Sequence, residues 1–257
     1  YDLLFTLSNI QEETKQKIIR YLKSHKSVYW SAIIGGKWDL FTVVFVKNYE
    51  ELEQFLDDLF NEFPKALKDY EALYSINHEF HKHKFLHKYI PEEIMLLNMA
   101  AAEKLQLDDL DLSILHQVKS NCRLSSLEIG RKSNVTYKTI QNRIKILEQN
   151  NIISGYRLFI NSQAFGHQPY LLLISFQNYG RDVEKKLFSY AINHKSITQS
   201  TKLFGKWSVL FHLRVKDEKE LQNIIIEMRN TYPIIGDYEI IPIFEDVAIN
   251  QFPVVII

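Results

Sequence analysis

The sequence predicts an α+β protein in which one βαββαβ unit is written twice, on either side of a trihelical segment. Three observations predict it. First, the chain repeats itself: Tyr1–Pro64 aligns without a gap on Tyr170–Pro233 with about 19 identities, far beyond chance matching, so a unit of domain size is duplicated. Second, each copy alternates short apolar runs with stretches of helical periodicity. Third, the segment from Leu107 to Phe165 belongs to neither copy and changes grammar, to short helical patterns parted by turn residues.

In the first copy the opening strand is the apolar run Leu3 to Leu7. A helix follows with Ile18, Ile19 and Leu22 on one side. Two strands come next, with Gly35-Gly36 between them as turn punctuation. Leu52, Phe55, Leu56, Leu59, Phe60 and Phe63 then recur at helical spacing. The second copy repeats this with Leu221, Ile224, Ile225, Met228 and Tyr232. Asn48-x-x-Glu51 and Asp217-x-x-Glu220 open the two helices as capping boxes, and Pro64 and Pro233 close them. A last strand completes each copy. The order is the ferredoxin-like one, with helices on one face of an antiparallel sheet. Leu40, Val44 and Val46 lie on one side of the strand after Gly-Lys-Trp, and Phe41, Val43 and Phe45 on the other. An apolar strand on both sides needs cover on both faces, so each copy is shaped to pair with another. In the second copy the alternate side is mixed: Leu210, His212 and Arg214.

The middle segment reads helix, helix, short turn, helix. Leu110, Ile114, Leu115 and Val118 line the first helix, and Ser125-x-x-Glu128 is a capping box for the second. On the third, Ile140, Ile144 and Leu147 form a buried stripe, and Lys138, Asn142, Lys145 and Gln149 fall opposite with Thr139 on their flank. Lysine meets phosphate or guanine, and Asn or Gln can pair with an adenine edge. Arg123, Arg131, Lys132, Lys138, Arg143, Lys145 and Arg157 are opposed only by Glu128 and Glu148. A chain with 31 basic and 31 acidic residues, and so no net charge, concentrates its cations where a groove-reading helix would sit.

"LDDLDLSIL…NCRLSSLEIGRKSNVTYKTIQNRIKILEQNNIISGY", followed by a ferredoxin-like copy, resembles the Lrp/AsnC (feast/famine) family of transcription regulators. The resemblance runs from about Asp108 to the C-terminus, with Tyr1 to about Leu86 as a second effector-type domain. It implies a winged or three-helix helix-turn-helix domain at 108–160, flanked by ferredoxin-like (RAM-like) domains at 1–86 and 161–257, with a linker or helix at 87–107. It implies double-stranded DNA as partner, through Lys138, Thr139, Asn142 and Lys145, with Tyr137, Arg143, Arg131 and Lys132 in support. Arg143 lies nearer the core stripe and suits an ion pair equally well. A small-molecule effector such as an amino acid is implied near Gly36, Asp39, Gly205 and Ser208, within a homo-oligomer, dimer or higher. The family carries Ala where Gly130 stands, Gly where Asn134 and Asn151 stand, and Ser where Thr136 stands. The family pattern also places a further helix-turn-helix before Tyr1, where the chain opens on a strand with no initiator Met.

Cys122 is the only cysteine, which fits a reducing, cytoplasmic setting without disulfides. No apolar run approaches membrane-spanning length. No nucleophile-base or paired-carboxylate signature marks an enzyme, and no cofactor is expected. His81-x-His83 invites a metal, but interleaved lysines repel one and a solvated strand end is the plainer reading. Two rivals stand beside the regulator. Some haem-biosynthesis decarboxylases resemble the same build without using DNA, and the presence of His78, His81, His83 and His212 keeps that reading open. A sensing or adaptor module that binds no DNA is the other.

Overall fold

A computed structural model of the chain describes residues 1–8, 10–81, 83–86, 95–97, 106–156, 160–177 and 180–249. Most of the expected 87–107 linker, and Arg157, lie outside the described residues. The chain divides into two compact units, Tyr1–Leu96 with Ile160–Ile256, and Leu97–Phe159. Both copies of the repeat therefore fall in one unit, and the trihelical segment in the other.

In the first unit, copy one runs β1 (Asp2–Leu7), α1 (Glu12–Ser24), β2 (Val28–Ile34), β3 (Leu40–Val44), α2 (Tyr49–Glu62) and β4 (Leu67–Phe80). After the short β5 (Met95–Leu97), copy two runs β6 (Gln168–Phe176), α6 (Arg181–Asn193), β7 (Ile197–Phe204), β8 (Val209–Val215), α7 (Glu218–Thr231) and β9 (Ile235–Ile249). The expected capping holds, with one change. Asn48 Oδ1 accepts from Glu51 N–H (2.9 Å) and Asp217 Oδ1 from Glu220 N–H (2.8 Å). Each glutamate, however, reaches one residue past the cap, accepting from Lys47 N–H (2.8 Å) or Lys216 N–H (2.9 Å). Either way a backbone donor near a helix start is satisfied.

Two long strands join the copies. β4 has 14 residues and β9 has 15, against about 5–6 in an ordinary strand. The first half of β4 pairs with β1 (Asp2↔Leu73), and its second half crosses to β7 (Tyr74↔Phe204, Phe80↔Gln199). β9 does the same between β6 and β2. The order β1-β3-β2-β9-β6-β8-β7-β4, with β4 returning to β1, closes eight strands into an antiparallel ring. The copies therefore pair within one chain.

Three apolar clusters fill this unit. Leu40, Val44 and Phe55 pack between the first sheet and its helices, and Leu172, Phe211 and Ile224 between the second sheet and its own. Between the sheets lie Trp30, Trp38, Phe41, Val43 and Phe45 against Leu171, Leu173, Leu203, Trp207, Leu210 and Ile243. The two-sided apolar character of β3 is thus used on both sides. Full burial of each such side chain contributes about 1.5–3 kcal/mol. The mixed side of β8 also faces inward, where the His212 ring lies 5.4 Å from that of Trp30.

Candidate nucleic-acid interface and the paired hairpin turns

The second unit is made of α3 (Asp109–Ser120), α4 (Ser126–Ser133) and α5 (Tyr137–Gln149). Its residues 106–156 contain three helices and no strand, so the wing allowed by sequence is absent from the described residues. Each helix start is capped. Ser125 and Glu128 form the expected box, and the Ser125 hydroxyl, then its amide, holds the Glu128 carboxyl below the usual carboxylate range. Asp108 and Asp111 form a second box that the sequence reading missed. Thr136 Oγ1 accepts from Thr139 N–H at 3.2 Å, doing the work of the more usual Ser. Asn134 takes the left-handed conformation (φ 56°, ψ 39°) that ends α4, and Asn151 does so after α5 (φ 55°).

Between α4 and α5 the chain turns tightly on Gly130. A Cβ there would lie 2.7 Å from the Val135 carbonyl oxygen. The glycine admits the turn backbone and the first residue of α5, whose Tyr137 nitrogen would lie 3.4 Å from that Cβ.

α5 carries the argument. Ile140 and Leu147 are fully buried, while Ile144 is only partly so. On the opposite side Lys138, Asn142, Lys145 and Gln149 are exposed. Arg131 and Lys132 are exposed in the last turn of α4, Tyr137 is exposed, and Thr139 is half-buried with its hydroxyl against Thr136. Arg143 makes the ion pair that the sequence held open beside a DNA contact. Its Nη2 lies 2.7 Å from Asp108 Oδ2, and its Nη1 donates to Asp111 Oδ2 (3.1 Å) and Oδ1 (3.3 Å). The guanidinium is thus engaged within the unit. Tyr156 donates to Glu148 Oε1 at 3.1 Å, and burial, then that acceptor, pushes its hydroxyl up to about 12.

Residues 107–148 match the AsnC-type helix-turn-helix domain. The chain is also similar to the HTH-type transcriptional regulator LrpB of Bacillus subtilis, 26% identical over 125 residues, 48% of this chain and 82% of that protein. It is 24% identical over 148 residues to the leucine-responsive regulatory protein of Haemophilus influenzae, covering 57% of this chain and 89% of that one. With its AsnC-type domain and these relatives, the chain is a DNA-binding transcription regulator. One solved structure is similar in fold over 98% of this chain and 73% of its own, with a TM-score of 0.64 and 9% identity. It is the siroheme decarboxylase NirDL in co-complex with an iron-uroporphyrin III analogue. Among the described residues no helix is long and apolar enough to cross a membrane.

The four expected effector residues lie in two separate hairpin turns of the first unit. Gly36 (φ 88°) and Gly205 (φ 128°) make the turns. Asp39 and Ser208 do one structural job in each copy. Asp39 Oδ2 accepts from Leu7 N–H at 2.7 Å, and Ser208 Oγ from Phe176 N–H at 3.0 Å. Asp39 N–H donates to Phe5 O and Ser208 N–H to Ile174 O, both at 2.8 Å. Replacing the carboxylate by a hydroxyl therefore preserves the bond. Lys37 and Lys206 stand 4.1 and 4.7 Å from the ring centres of Trp38 and Trp207. Trp38 Nε1 donates to Glu239 Oε1 at 3.1 Å, whereas the buried Trp207 Nε1 has no partner among the described residues. Two open grooves of about 590 and 620 Å³ run along α7, β9 and the start of β6, and none of the four turn residues lines either.

Of the four histidines that suggested metal or decarboxylase chemistry, His78 and His81 are buried in the seam between β4 and β7 and not at a solvated strand end, whereas His212 lies on β8. Ile197 O lies 3.2 Å from His81 Nδ1 and Ser200 Oγ lies 3.0 Å from Nε2, and burial lowers its pKa to about 4. His78 Nδ1 lies 2.9 Å from Thr201 Oγ1. No group of three side chains able to hold a metal occurs among the described residues.

Proposed function

We propose that this regulator is sequence-specific and of the Lrp/AsnC type, with α5 in the major groove. Lys138, Thr139, Asn142 and Lys145 meet bases and phosphates, and Arg131, Lys132 and Tyr137 hold the flanking backbone. The observation that carries this is the split of α5, with Ile140 and Leu147 buried and Lys138, Asn142 and Lys145 turned to solvent. The domains are 108–160 for DNA, and 1–86 and 161–257 as ferredoxin-like sensing domains. A small metabolite such as an amino acid acts at the turns of Gly36, Asp39, Gly205 and Ser208, in a cytoplasmic oligomer that presents more than one α5 to spaced half-sites.

The test replaces Lys138 and Lys145 by Ala and titrates a duplex selected by the wild-type chain from genomic fragments. Each lost phosphate contact lowers the slope of log affinity against log salt by about 0.9. Unchanged affinity and slope in the double variant would remove α5 as the reading helix.

A second reading rests on the fold likeness to siroheme decarboxylase over nearly the whole chain. It makes the ring of strands a tetrapyrrole holder. A new absorption band on adding iron-uroporphyrin III, in a protein without salt-sensitive DNA binding, would favour it.

A further inference from the structure

We infer that Arg143 is a positioning residue for DNA recognition, clamping the reading helix to the start of α3 through Asp108 and Asp111 while touching no DNA itself. The inference rests on the proposal that α5 reads the duplex.

The geometry supports the clamp in three ways. On a helical wheel Arg143 falls about 60° from Ile140, on the core side of α5, whereas Lys138, Asn142 and Lys145 are turned away. One planar guanidinium reaches two carboxylates, with both oxygens of Asp111 and one of Asp108 within 3.3 Å. A fork of that kind fixes direction as well as distance, which a lysine cannot do. Finally, both carboxylates are tied down, although the Asp108 side chain is 49% exposed. The Asp111 side chain is 5% exposed, and both residues are already held by the capping box, Asp111 N–H to Asp108 Oδ1 at 2.9 Å and Asp108 N–H to Asp111 Oδ2 at 3.2 Å.

The acceptors are therefore held by bonds that do not involve Arg143, and the guanidinium sets the rotation of α5 about its own axis. A rotation of α5 would carry Asn142 and Lys145 away from base edges while leaving their charge near the phosphates. The clamp thus acts on the difference between right and wrong sequence. It adds little to the general attraction, because a guanidinium matched by two carboxylates releases no counterion from the duplex.

The experiment uses the full chain and two duplexes, one selected by the wild type from genomic fragments and one of scrambled sequence, each across a salt series. Wild type that binds neither in a salt-sensitive way overturns the DNA reading itself, and the clamp with it. Given wild-type binding, Arg143→Gln is expected to lower the ratio of selected to scrambled affinity by about 10-fold or more, the scale of one well-placed base contact, with the salt slope unchanged. Asp111→Asn is the decisive companion. It removes a negative charge from the unit, so if Arg143 contacts phosphate it binds both duplexes as well as wild type or better. If Arg143 positions α5, it loses selectivity as Arg143→Gln does. Asp108→Asn, which removes a single bond, gives a smaller loss in the same direction and serves if the Asp111 variant does not fold. A slope reduced by about 0.9 in Arg143→Gln with both duplexes weakened alike, as expected for Lys145→Ala, would overturn the clamp.

Discussion

At the scale of single residues, small departures from the expected family pattern have physical substitutes. Asn134 and Asn151 adopt the left-handed backbone at which Gly is the usual choice, and Asn is the best non-glycine residue there. Gly130 is less replaceable. With the Val135 carbonyl 2.7 Å from where a Cβ would stand, Gly130→Ala must push the turn between α4 and α5 outward. The gain in helix propensity does not offset such overpacking, which costs about 1–3 kcal/mol. Thermal unfolding followed by helix signal checks this, and an unchanged or raised midpoint would show that the turn yields freely. Arg143 shows the limit of sequence reading at this scale. The wheel placed it between core and solvent, and only the fold of α3 brought Asp108 and Asp111 beside it. A charged pair separated by more than thirty positions leaves no periodic trace, whereas Asp108-x-x-Asp111 has the local spacing of a capping box that the sequence reading passed over.

At the scale of elements, helices were the legible part. Their apolar spacing, caps and closing prolines are local, and α2, α5 and α7 stand where these predict. The long strands were not. Nothing in Leu67–Phe80 says that its first half belongs to β1 and its second to β7, because pairing is decided by partners distant in sequence. The crossing of β4 onto β7 has a titratable signature. Burial holds His81 neutral, with its pKa lowered from 6.5 to about 4. Unfolded, the ring regains its ordinary value and binds a proton that the native state excludes. Its contribution is therefore whole above pH 6.5, drains as pH falls toward 4 and levels off below. The full loss is about 3 kcal/mol at most. Denaturant titrations from pH 7 to pH 4 should show a shallower decline for His81→Gln than for wild type. Equal slopes would mean that His81 takes up its proton in the native state.

At the scale of the whole molecule, the repeat was plain in the sequence, and the doubly apolar β3 announced that the copies would pair. Whether they pair within one chain or between chains was not written there. The ring made by β4 and β9 answers it in favour of one chain. The turn residues proposed to meet a metabolite were legible as turns, but no periodicity could reveal that Asp39 and Ser208 also accept from the backbone of Leu7 and Phe176. Covalent union has a further result at the two hairpin tips. In one, Gly35 lies beneath Phe244, whose ring would be 2.7 Å from an added Cβ. At the matching place in the other copy stands Phe204, 73% exposed, beside Tyr74. Gly35→Phe, which would make the two tips alike, should lower the melting temperature, and a variant as stable as wild type would refute the fit. The second half could not embrace a replica of itself in this manner, since Phe244 would strike Phe204 where it now finds glycine. The halves are complementary and not interchangeable at these tips, because glycine and phenylalanine stand at matching places.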